Sequence, residues 1–189
     1  MEFPGRLPVL RTPRLVLREL DDRDAGALFE VFSDAEAMHY WSGPPMRELS
    51  EAVEMIARTR GFFAGREALR WGIARLEDDH VIGTHTLFHL DEQNRRGEVG
   101  YILDRRHWGH GYMREALAAL IDYAFTALGL HRIEADIDPR NLASVRALEH
   151  FGFAREGLLR ERWRVGEELS DSLLMGLLRP DWERGGRAR

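Results

Sequence analysis

The stretch from Arg106 to Tyr112 has the residue types of a phosphate-binding turn. It contains Gly109 and Gly111 and precedes the clearest amphipathic helix pattern in the chain. The first turn of a helix leaves backbone N–H groups without intrahelical partners, and the helix dipole adds partial positive charge there. Because glycine has no side chain, an anion can approach those N–H groups closely. The stretch therefore predicts a diphosphate cradle built mainly from backbone, with further charge from Arg105 and Arg106.

Two other nucleotide-binding motifs do not fit this turn. A Walker A loop ends in Gly-Lys-Ser or Gly-Lys-Thr, whereas Gly111 is followed here by Tyr112 and Met113. A dinucleotide fingerprint needs a third small residue where this chain has Arg114. The remaining alternative is a strand-to-helix loop in which the glycines only relieve steric crowding.

The absence of cysteine from the chain excludes disulfides, thiolate metal sites and a cysteine nucleophile. The histidines do not predict a metal site either. His85 and His89 lie on a predicted strand, roughly 13 Å apart along its axis, and so cannot bind one ion together. His107 and His110 flank the glycine turn, where we expect them at the surface or beside a ligand. We therefore expect no metal.

The composition is that of an ordinary globular protein. The 189 residues are 44% hydrophobic and 31% charged, with a net charge of −5. This charge gives no strong positive field for nucleic acid or an anionic membrane. No segment is apolar enough to span a bilayer, and the first residues lack the apolar region of a signal peptide. We expect a cytoplasmic protein with one domain over 1–189, a core at about 10–180 and a flexible tail at 183–189.

Hydrophobic periodicity predicts a sheet interrupted by helices. The clearest helix runs from Gly111 to Leu128, where apolar residues share one face and Gly129 supplies a left-handed end. A strand at Glu98–Leu103 precedes it and a strand at about Arg132–Ile137 follows. The other predicted strands lie at about 14–20, 70–76, 81–90, 154–165 and 169–178, and the other helices at about 25–32, 49–65 and 142–151. This order predicts a mixed α/β or α+β domain.

Several motifs resemble the GNAT (GCN5-related) N-acetyltransferases, and they cover most of residues 10–178 in the expected order. Arg106-x-x-Gly109-x-Gly111 matches the pyrophosphate motif of that family. The RimJ/RimL subgroup is similar at Gly97–Asp104, Trp108–Tyr112 and Glu115–Leu117, at Asn141-x-x-Ser144 and Phe151-Gly-Phe153, and at the opening Leu10–Arg18. No single motif is specific, but together they are.

The resemblance implies a fold and a co-substrate. The fold is a mixed, mostly antiparallel sheet of about seven strands, flanked by helices, whose fourth and fifth strands run parallel and splay apart. The pantetheine arm of acetyl-CoA would insert between those strands, at Glu98–Leu103 and Arg132–Ile137, and bond to exposed backbone. The residues then expected to bind the coenzyme are Ile102, Leu103, Arg106, His107, Trp108, Gly109, His110, Gly111, Tyr112, Asn141 and Ser144.

Acyl transfer by this chain has to be direct, because no cysteine can carry the acetyl group. An alkyl ammonium, with a pKa of about 10.4, must lose a proton before it attacks. A carboxylate, often working through water, can take that proton. Glu98 lies where many relatives place a glutamate for this task. The alternative is a solvated glutamate at the end of a strand.

The departing thiolate needs a proton or a hydrogen bond. Many relatives use a tyrosine on the short helix after the fifth strand, but this chain has Leu148 there, which cannot donate. The serine of the subgroup is Ser144, whose hydroxyl at the first turn of that helix could hydrogen-bond the sulfur. Alternatively, Ser144 serves only at the helix start, and Asn141 is a preferred N-cap residue.

The resemblance also implies an acceptor: a protein N-terminal amine or a small-molecule amine, acetylated in a ternary complex. Tyr40 and Trp41 lie in a loop that walls the acceptor site in relatives, although these aromatics could equally pack over the sheet. Trp163 is a weaker candidate for the same site. Dimers are common among relatives, so a homodimer is open. A catalytically silent coenzyme A sensor and a protein that binds another nucleotide, such as ATP, are the alternatives.

Overall fold

The computed structural model describes residues 3–185, in which one sheet carries helices on both faces. The strands are β1 (Leu10–Arg11), β2 (Leu15–Arg18), β3 (Ala68–Arg75), β4 (Val81–Asp91), β5 (Arg96–Leu103), β6 (Arg132–Ile137), β7 (Ala154–Val165) and β8 (Glu168–Leu178). The helices are α1 (Ala25–Ser33), α2 (Leu49–Ala64), α3 (Tyr112–Thr126), α4 (Leu142–His150) and α5 (Arg179–Arg184).

The sheet has the order β1-β2-β3-β4-β5-β6-β8-β7, and its neighbours are antiparallel except for β5 and β6. These two parallel strands pair only at Arg96–Arg132, Gly97–Ile133 and Glu98–Glu134. Beyond Glu98 they part, so the backbone edges that face each other are left without a partner strand. The predicted pair of splayed parallel strands is therefore confirmed.

The larger part of the core lies under α3, whose apolar face packs on the sheet. Leu117, Leu120 and Ile121 are fully buried there. Complete burial of such a side chain contributes roughly 1.5–3 kcal/mol each. The helix ends just before Gly129, which has the left-handed φ of 75° that its predicted role requires. This packing anchors α3 on the sheet, where the helix contacts β1, β2 and β6.

The opposite face of the sheet is covered only in part. The helices α1 and α2 pack a smaller cluster, including Leu28, Phe32 and Ile56, over one region of that face. Thr86 and Phe88 of β4 lie outside that cluster and line an open cavity instead. The second face therefore leaves room for a ligand beside β5.

Both ends of the chain differ from the sequence prediction. The sheet has eight strands rather than about seven, because Leu10 and Arg11 pair back with Leu17 and Val16 as β1. Glu183 and Arg184, where the predicted tail begins, belong to α5. Trp182 holds that helix against the core. It is 5% exposed, and the centroid of its ring lies 5.1 Å from the centroid of the Phe125 ring. Residues 186–189 of the predicted tail lie outside the described residues.

The last strand completes the core. Leu173, Met175 and Leu177 of β8 are buried against it, so the apolar stretch that the sequence shows there is explained within one chain. The homodimer stays a prediction. Between residues 3 and 185, no helix has the length and hydrophobicity to cross a bilayer.

A buried histidine should make the stability of this fold sensitive to acid. His85 on β4 is fully buried against Tyr101, and within the described residues neither of its ring nitrogens has a hydrogen-bond partner. Burial lowers the pKa of His85 from 6.5 to about 3. The folded chain therefore keeps a neutral ring, whereas the unfolded chain binds a proton below about pH 6.5. Stability present above that pH is lost as the pH falls, by about 1.4 kcal/mol per pH unit.

We expect His85→Leu to remove this loss. Between about pH 7 and pH 5, the free energy of unfolding of the parent chain should fall by about 2 kcal/mol more than that of the variant. Denaturant titrations at both pH values measure the difference. His131→Gln, at an exposed histidine, is the control and should keep the full loss. Equal slopes for His85→Leu and the parent would contradict the prediction.

Candidate functional site

The turn before α3 has the geometry of an anion cradle. Gly109 and Gly111 adopt left-handed φ values of 76° and 79°, which other residues reach only with strain. The first helical hydrogen bond runs from the Glu115 N–H to the Gly111 carbonyl at 3.1 Å, so the N–H groups before Glu115 in that first turn are free to bind a ligand. A Cβ at Gly109 would find nothing within 4 Å. The cradle is therefore both open and rich in donors.

Arg14 lies beside this cradle, in an ion pair with Glu115. Its Nε donates to Glu115 Oε2 at 2.7 Å and its Nη1 to the His110 carbonyl at 2.9 Å, and its guanidinium lies 4.5 Å from the centre of the Tyr112 ring. Burial opposes ionisation of Glu115, but hydrogen bonds from Thr12 and Arg14 outweigh it and lower the pKa of that carboxyl. Because Arg14 and Glu115 are 101 residues apart, no local pattern in the sequence links Arg14 to the site.

A cavity of about 620 Å³ begins at the cradle and continues between β5 and β6. Its walls include most residues predicted to bind the coenzyme, namely Ile102, Leu103, His107, Trp108, Gly109, Gly111, Tyr112, Asn141 and Ser144. Arg106 and His110 do not line it. The Arg106 side chain binds Asp104 and Glu30 instead, and these hydrogen bonds raise the pKa of its guanidinium.

The start of α4 forms one wall of this cavity. Asn141 caps the helix, since its Oδ1 accepts a hydrogen bond from the Ser144 N–H at 3.1 Å. The Tyr101 hydroxyl donates to the Ser144 carbonyl at 3.4 Å, and burial raises the pKa of Tyr101 to about 12, which keeps the hydroxyl protonated. Leu148 is fully buried in the core. The Tyr101 hydroxyl on β5 thus reaches the start of α4. On α4 itself, the position at which the resemblance predicts a tyrosine is Leu148.

A second cavity, of about 860 Å³, lies over the uncovered face of the sheet. It shares Tyr40, Trp41, Gly100 and Asp136 with the first cavity, so the two meet where β5 and β6 part. Trp41 packs edge-on against Phe32 at 5.7 Å between ring centroids. The two predicted acceptor-site aromatics therefore stand at the junction of the cavities.

Glu98 lines the second cavity and contacts a histidine. Its Oε2 lies 3.0 Å from His89 Nδ1, and its side chain is 21% exposed against 71% for His89. Phe88 is opposite Glu98 in the ladder, so regular alternation would point His89 to the other face of the sheet. Instead His89 has a φ of 48° at an irregularity between Phe88 and Asp91. This left-handed residue is what turns the imidazole towards Glu98.

A carboxylate with a more deeply buried side chain lies nearby on β6. The Asp136 side chain is 9% exposed, and its Oδ2 accepts from Arg162 Nε at 3.1 Å and from Trp163 Nε1 at 3.4 Å. Its Oδ1 is buried without a hydrogen-bond partner among residues 3–185. Glu161, with a φ of 51°, lies at an irregularity in β7. This irregularity brings Arg162 and Trp163 to the same carboxylate. Trp163 thereby lines the second cavity.

The chain is similar to acetyltransferases over most of its length. The family described as acetyltransferase (GNAT) domain matches residues 14–154. The chain is 38% identical over 176 residues to the uncharacterized N-acetyltransferase p20 of Bacillus licheniformis, covering 93% of this chain and 99% of that protein. It is 29% identical over 185 residues to the ribosomal protein uS5-alanine N-acetyltransferase of Escherichia coli, with 93% of each chain covered. Among solved structures, Mycobacterium smegmatis RimJ in complex with CoA-disulfide matches with a TM-score of 0.80 and 28% identity, covering 92% of this chain and 87% of that chain.

Proposed function

The chain is a RimJ/RimL-like member of the GNAT acetyltransferase family, and we propose that it moves an acetyl group from acetyl-CoA directly to a primary amine. The observation that carries this proposal is the meeting of two cavities where β5 and β6 part. One cavity begins at free backbone donors and the other contains a carboxylate paired with a histidine. A donor and an acceptor can therefore occupy separate spaces and react at their junction.

The residues present fit the coenzyme. A diphosphate needs an open, donor-rich concavity with positive charge. The turn at Gly109 and Gly111 offers the first two, and Arg114, which lines the same cavity, supplies a cation. An extended pantetheine arm needs unpaired strand edges, and β5 beyond Glu98 offers one. When bound, acetyl-CoA would supply an activated acetyl thioester, and the chain would supply binding, orientation and proton transfer.

In the proposed mechanism, Glu98 accepts a proton from the incoming ammonium, and the neutral amine then attacks the thioester carbon. The proton can pass from Glu98 to His89, whose exposed ring leads to solvent. A backbone N–H of β5, between Val99 and Ile102, would hydrogen-bond the acetyl oxygen as it gains negative charge. Ser144 would hydrogen-bond the departing sulfur as the C–S bond breaks, and the second proton lost by the attacking nitrogen would go to that sulfur. The products are the acetylated amine and the free thiol of CoA.

The proposed acceptor is a protein N-terminal α-amine or a small-molecule amine. Its cavity is large enough for several residues of a peptide or for a compact metabolite, and Tyr40 and Trp41 would form the wall next to the acetyl group. The named activity of the Escherichia coli relative, on an alanine of a ribosomal protein, supports the first class.

Binding and transfer can be tested in sequence. Thermal unfolding is measured with acetyl-CoA, CoA and ATP, since a ligand present at about 100 times its Kd stabilises a protein by about 2.7 kcal/mol. Transfer is then followed by mass spectrometry across α-amine peptides, lysine peptides and small amines. The chain has no lysine of its own, so background acetylation of its side-chain amines does not arise.

Three outcomes separate the alternatives. Stabilisation by both coenzyme A compounds, together with an acetylated amine, supports the proposal. Binding without transfer to any amine in the panel favours the silent sensor. Stabilisation by ATP alone overturns the coenzyme assignment.

Ser144→Ala should slow turnover without loosening the coenzyme. A hydrogen bond to a charged group contributes about 1.5–3 kcal/mol, so we expect kcat to fall by about tenfold or more. The Kd for CoA, measured by calorimetry, should change by less than about threefold, because the N-cap bond uses the Ser144 backbone rather than its hydroxyl. Ser144→Thr, which keeps a hydroxyl, is the matched control. Equal losses in kcat and in CoA affinity would argue against a role at the leaving group.

A further inference from the structure

Arg70 on β3 is a half-buried cation without an anion. Of the arginines in residues 3–185 that are not solvent-exposed, it is the one that forms no ion pair, since Arg18, Arg75, Arg96, Arg132 and Arg179 all contact carboxylates. Its hydrogen bond within that range runs from Nε to Thr86 Oγ1 at 3.0 Å. Desolvation, reinforced by the charge of Arg58, lowers the pKa of the Arg70 guanidinium. An uncompensated charge of this kind weakens a fold.

The surroundings of Arg70 point to a ligand rather than to the core. Arg70 pairs across the ladder with Thr86, and Thr86 pairs with Gly100, so the three form one row across β3, β4 and β5. All three line the second cavity, which is called the acceptor cavity from here on. The first cavity, which begins at the turn before α3, is called the coenzyme cavity. The Phe88 ring lies 3.2 Å from the position that a Cβ of Gly100 would take, and Gly100 lines both cavities. The row therefore leads from Arg70 to the junction with the coenzyme cavity.

No carboxylate in residues 3–185 forms an ion pair with Arg70. Of the acidic residues that line the same cavity, four are paired with other side chains: Glu98 with His89, Asp136 with Arg162, and Asp138 and Glu168 with Arg140. The fifth, Glu67, does not come within ion-pair distance of Arg70. A guanidinium has five N–H donors, and Arg70 uses one of them on Thr86. The Nη donors remain for an oxyanion, which they can bind in a bidentate manner.

We propose that Arg70 and Thr86 form a subsite for a carboxylate of the acceptor, which therefore carries both an amine and a carboxylate. This proposal rests on the acetyl transfer proposed above and names its substrate class. Arg70 is two strands away from Glu98 and offset by two residues, which places their Cα atoms roughly 12 Å apart. The two side chains shorten that gap, so the amine and carboxylate should be several ångströms apart. An ω-amino acid or a peptide N-terminus with an acidic residue near it has this form.

Matched pairs of acceptors test the subsite. One arm compares ω-amino acids of increasing length with their primary amides, and a second compares Ala-Glu and Ala-Asp peptide amides with their Gln and Asn counterparts. We expect the parent chain to prefer the acid in at least one arm by about tenfold or more in kcat/KM, the size of a charge-assisted hydrogen bond. The arm that shows the preference identifies the source of the carboxylate.

Variants then assign the preference to Arg70. Arg70→Gln should abolish it by lowering kcat/KM for the acid while leaving the amide within about twofold, and Arg70→Lys should retain part of it. Arg58→Gln, which removes an exposed unpaired charge from α2, is the matched control and should keep the preference. Arg70→Gln should also unfold at the same or a higher temperature than the parent, because it removes an unpaired charge.

Two results would overturn the subsite without touching the proposed transfer: equal use of acid and amide, or an equal loss of both in Arg70→Gln. If no amine in either arm is acetylated, the wider amine panel described above decides the transfer, and the subsite is decided by binding. Thermal shifts with CoA plus 6-aminohexanoate or its amide, and with CoA plus the peptide pairs, then support it only if an acid stabilises the parent and not Arg70→Gln. Shifts that are alike for acid and amide, or for parent and variant, overturn it.

Discussion

Glu98→Gln should lower kcat by about 100-fold or more, since general base catalysis contributes about 10²–10⁴-fold. Glutamine keeps the size of the side chain but cannot accept the proton of an ammonium. Glu98 lines the acceptor cavity and not the coenzyme cavity, so the Kd for acetyl-CoA should stay within about threefold. Steady-state kinetics and calorimetry give the two quantities.

The chemistry of the acceptor provides an internal check on this prediction. An amine that is already neutral at pH 7 has no proton to lose before attack, so Glu98→Gln should impair its acetylation much less. Glu67→Gln removes the same charge from the same cavity and is the matched control, with little expected effect. His89→Asn should cause an intermediate loss, because asparagine tolerates the left-handed backbone but cannot relay a proton. A fall of about tenfold or less in Glu98→Gln would lie below the usual range for a base and refute the assignment.

Gly109→Ala should weaken coenzyme binding by about 30-fold, or about 2 kcal/mol. The new Cβ would enter the open space in front of the cradle, and the strained φ would misalign backbone N–H donors whose bonds to a phosphate contribute about 1.5–3 kcal/mol each. Calorimetry with CoA measures the change, and denaturant titration measures the accompanying loss of stability.

Gly129→Ala is the control for backbone strain. Gly129 has a φ of 75° against 76° for Gly109, and a Cβ at either would meet nothing within 4 Å. Both variants should lose a similar stability, roughly 1–2 kcal/mol, but Gly129 lies beyond the far end of α3 from the cradle. Equal CoA affinities in the two variants would mean that the backbone at Gly109 takes no part in binding.

The elements of the proposed coenzyme site could be predicted because their signals are local. The apolar stripe of α3, the two glycines before it and Asn141 at the start of α4 each act within a few residues of their position. The resemblance to the GNAT acetyltransferases implied a parallel pair of strands, and the parallel pairing of β5 with β6 agrees with it. A two-residue strand such as β1 has too little pattern to be seen in a sequence.

The contacts around the acceptor could not be predicted from local pattern. His89 and Glu161 adopt left-handed conformations without being glycine, and each breaks the alternation on which strand faces are assigned. Arg162 and Trp163 therefore reach Asp136 together, although neighbours in a regular strand point to opposite sides. Arg70 has no sequence signal at all, because the absence of a partner is visible only once the whole chain is folded. The long-range bond between Arg14 and Glu115 was missed for a related reason.

Only three residue pairs join β5 to β6, which makes the sheet two blocks that meet at a narrow seam. One block, β1 to β5, carries Glu98 and Arg70, and the other, β6 to β8, carries Asp136. A molecule that lies along the seam and hydrogen-bonds to both strand edges would connect the two blocks where backbone pairing is absent. Occupation by the coenzyme would then fix the distance between Glu98 in one block and Asp136 in the other, so that the cavity that both residues line takes its final shape only after the donor is in place.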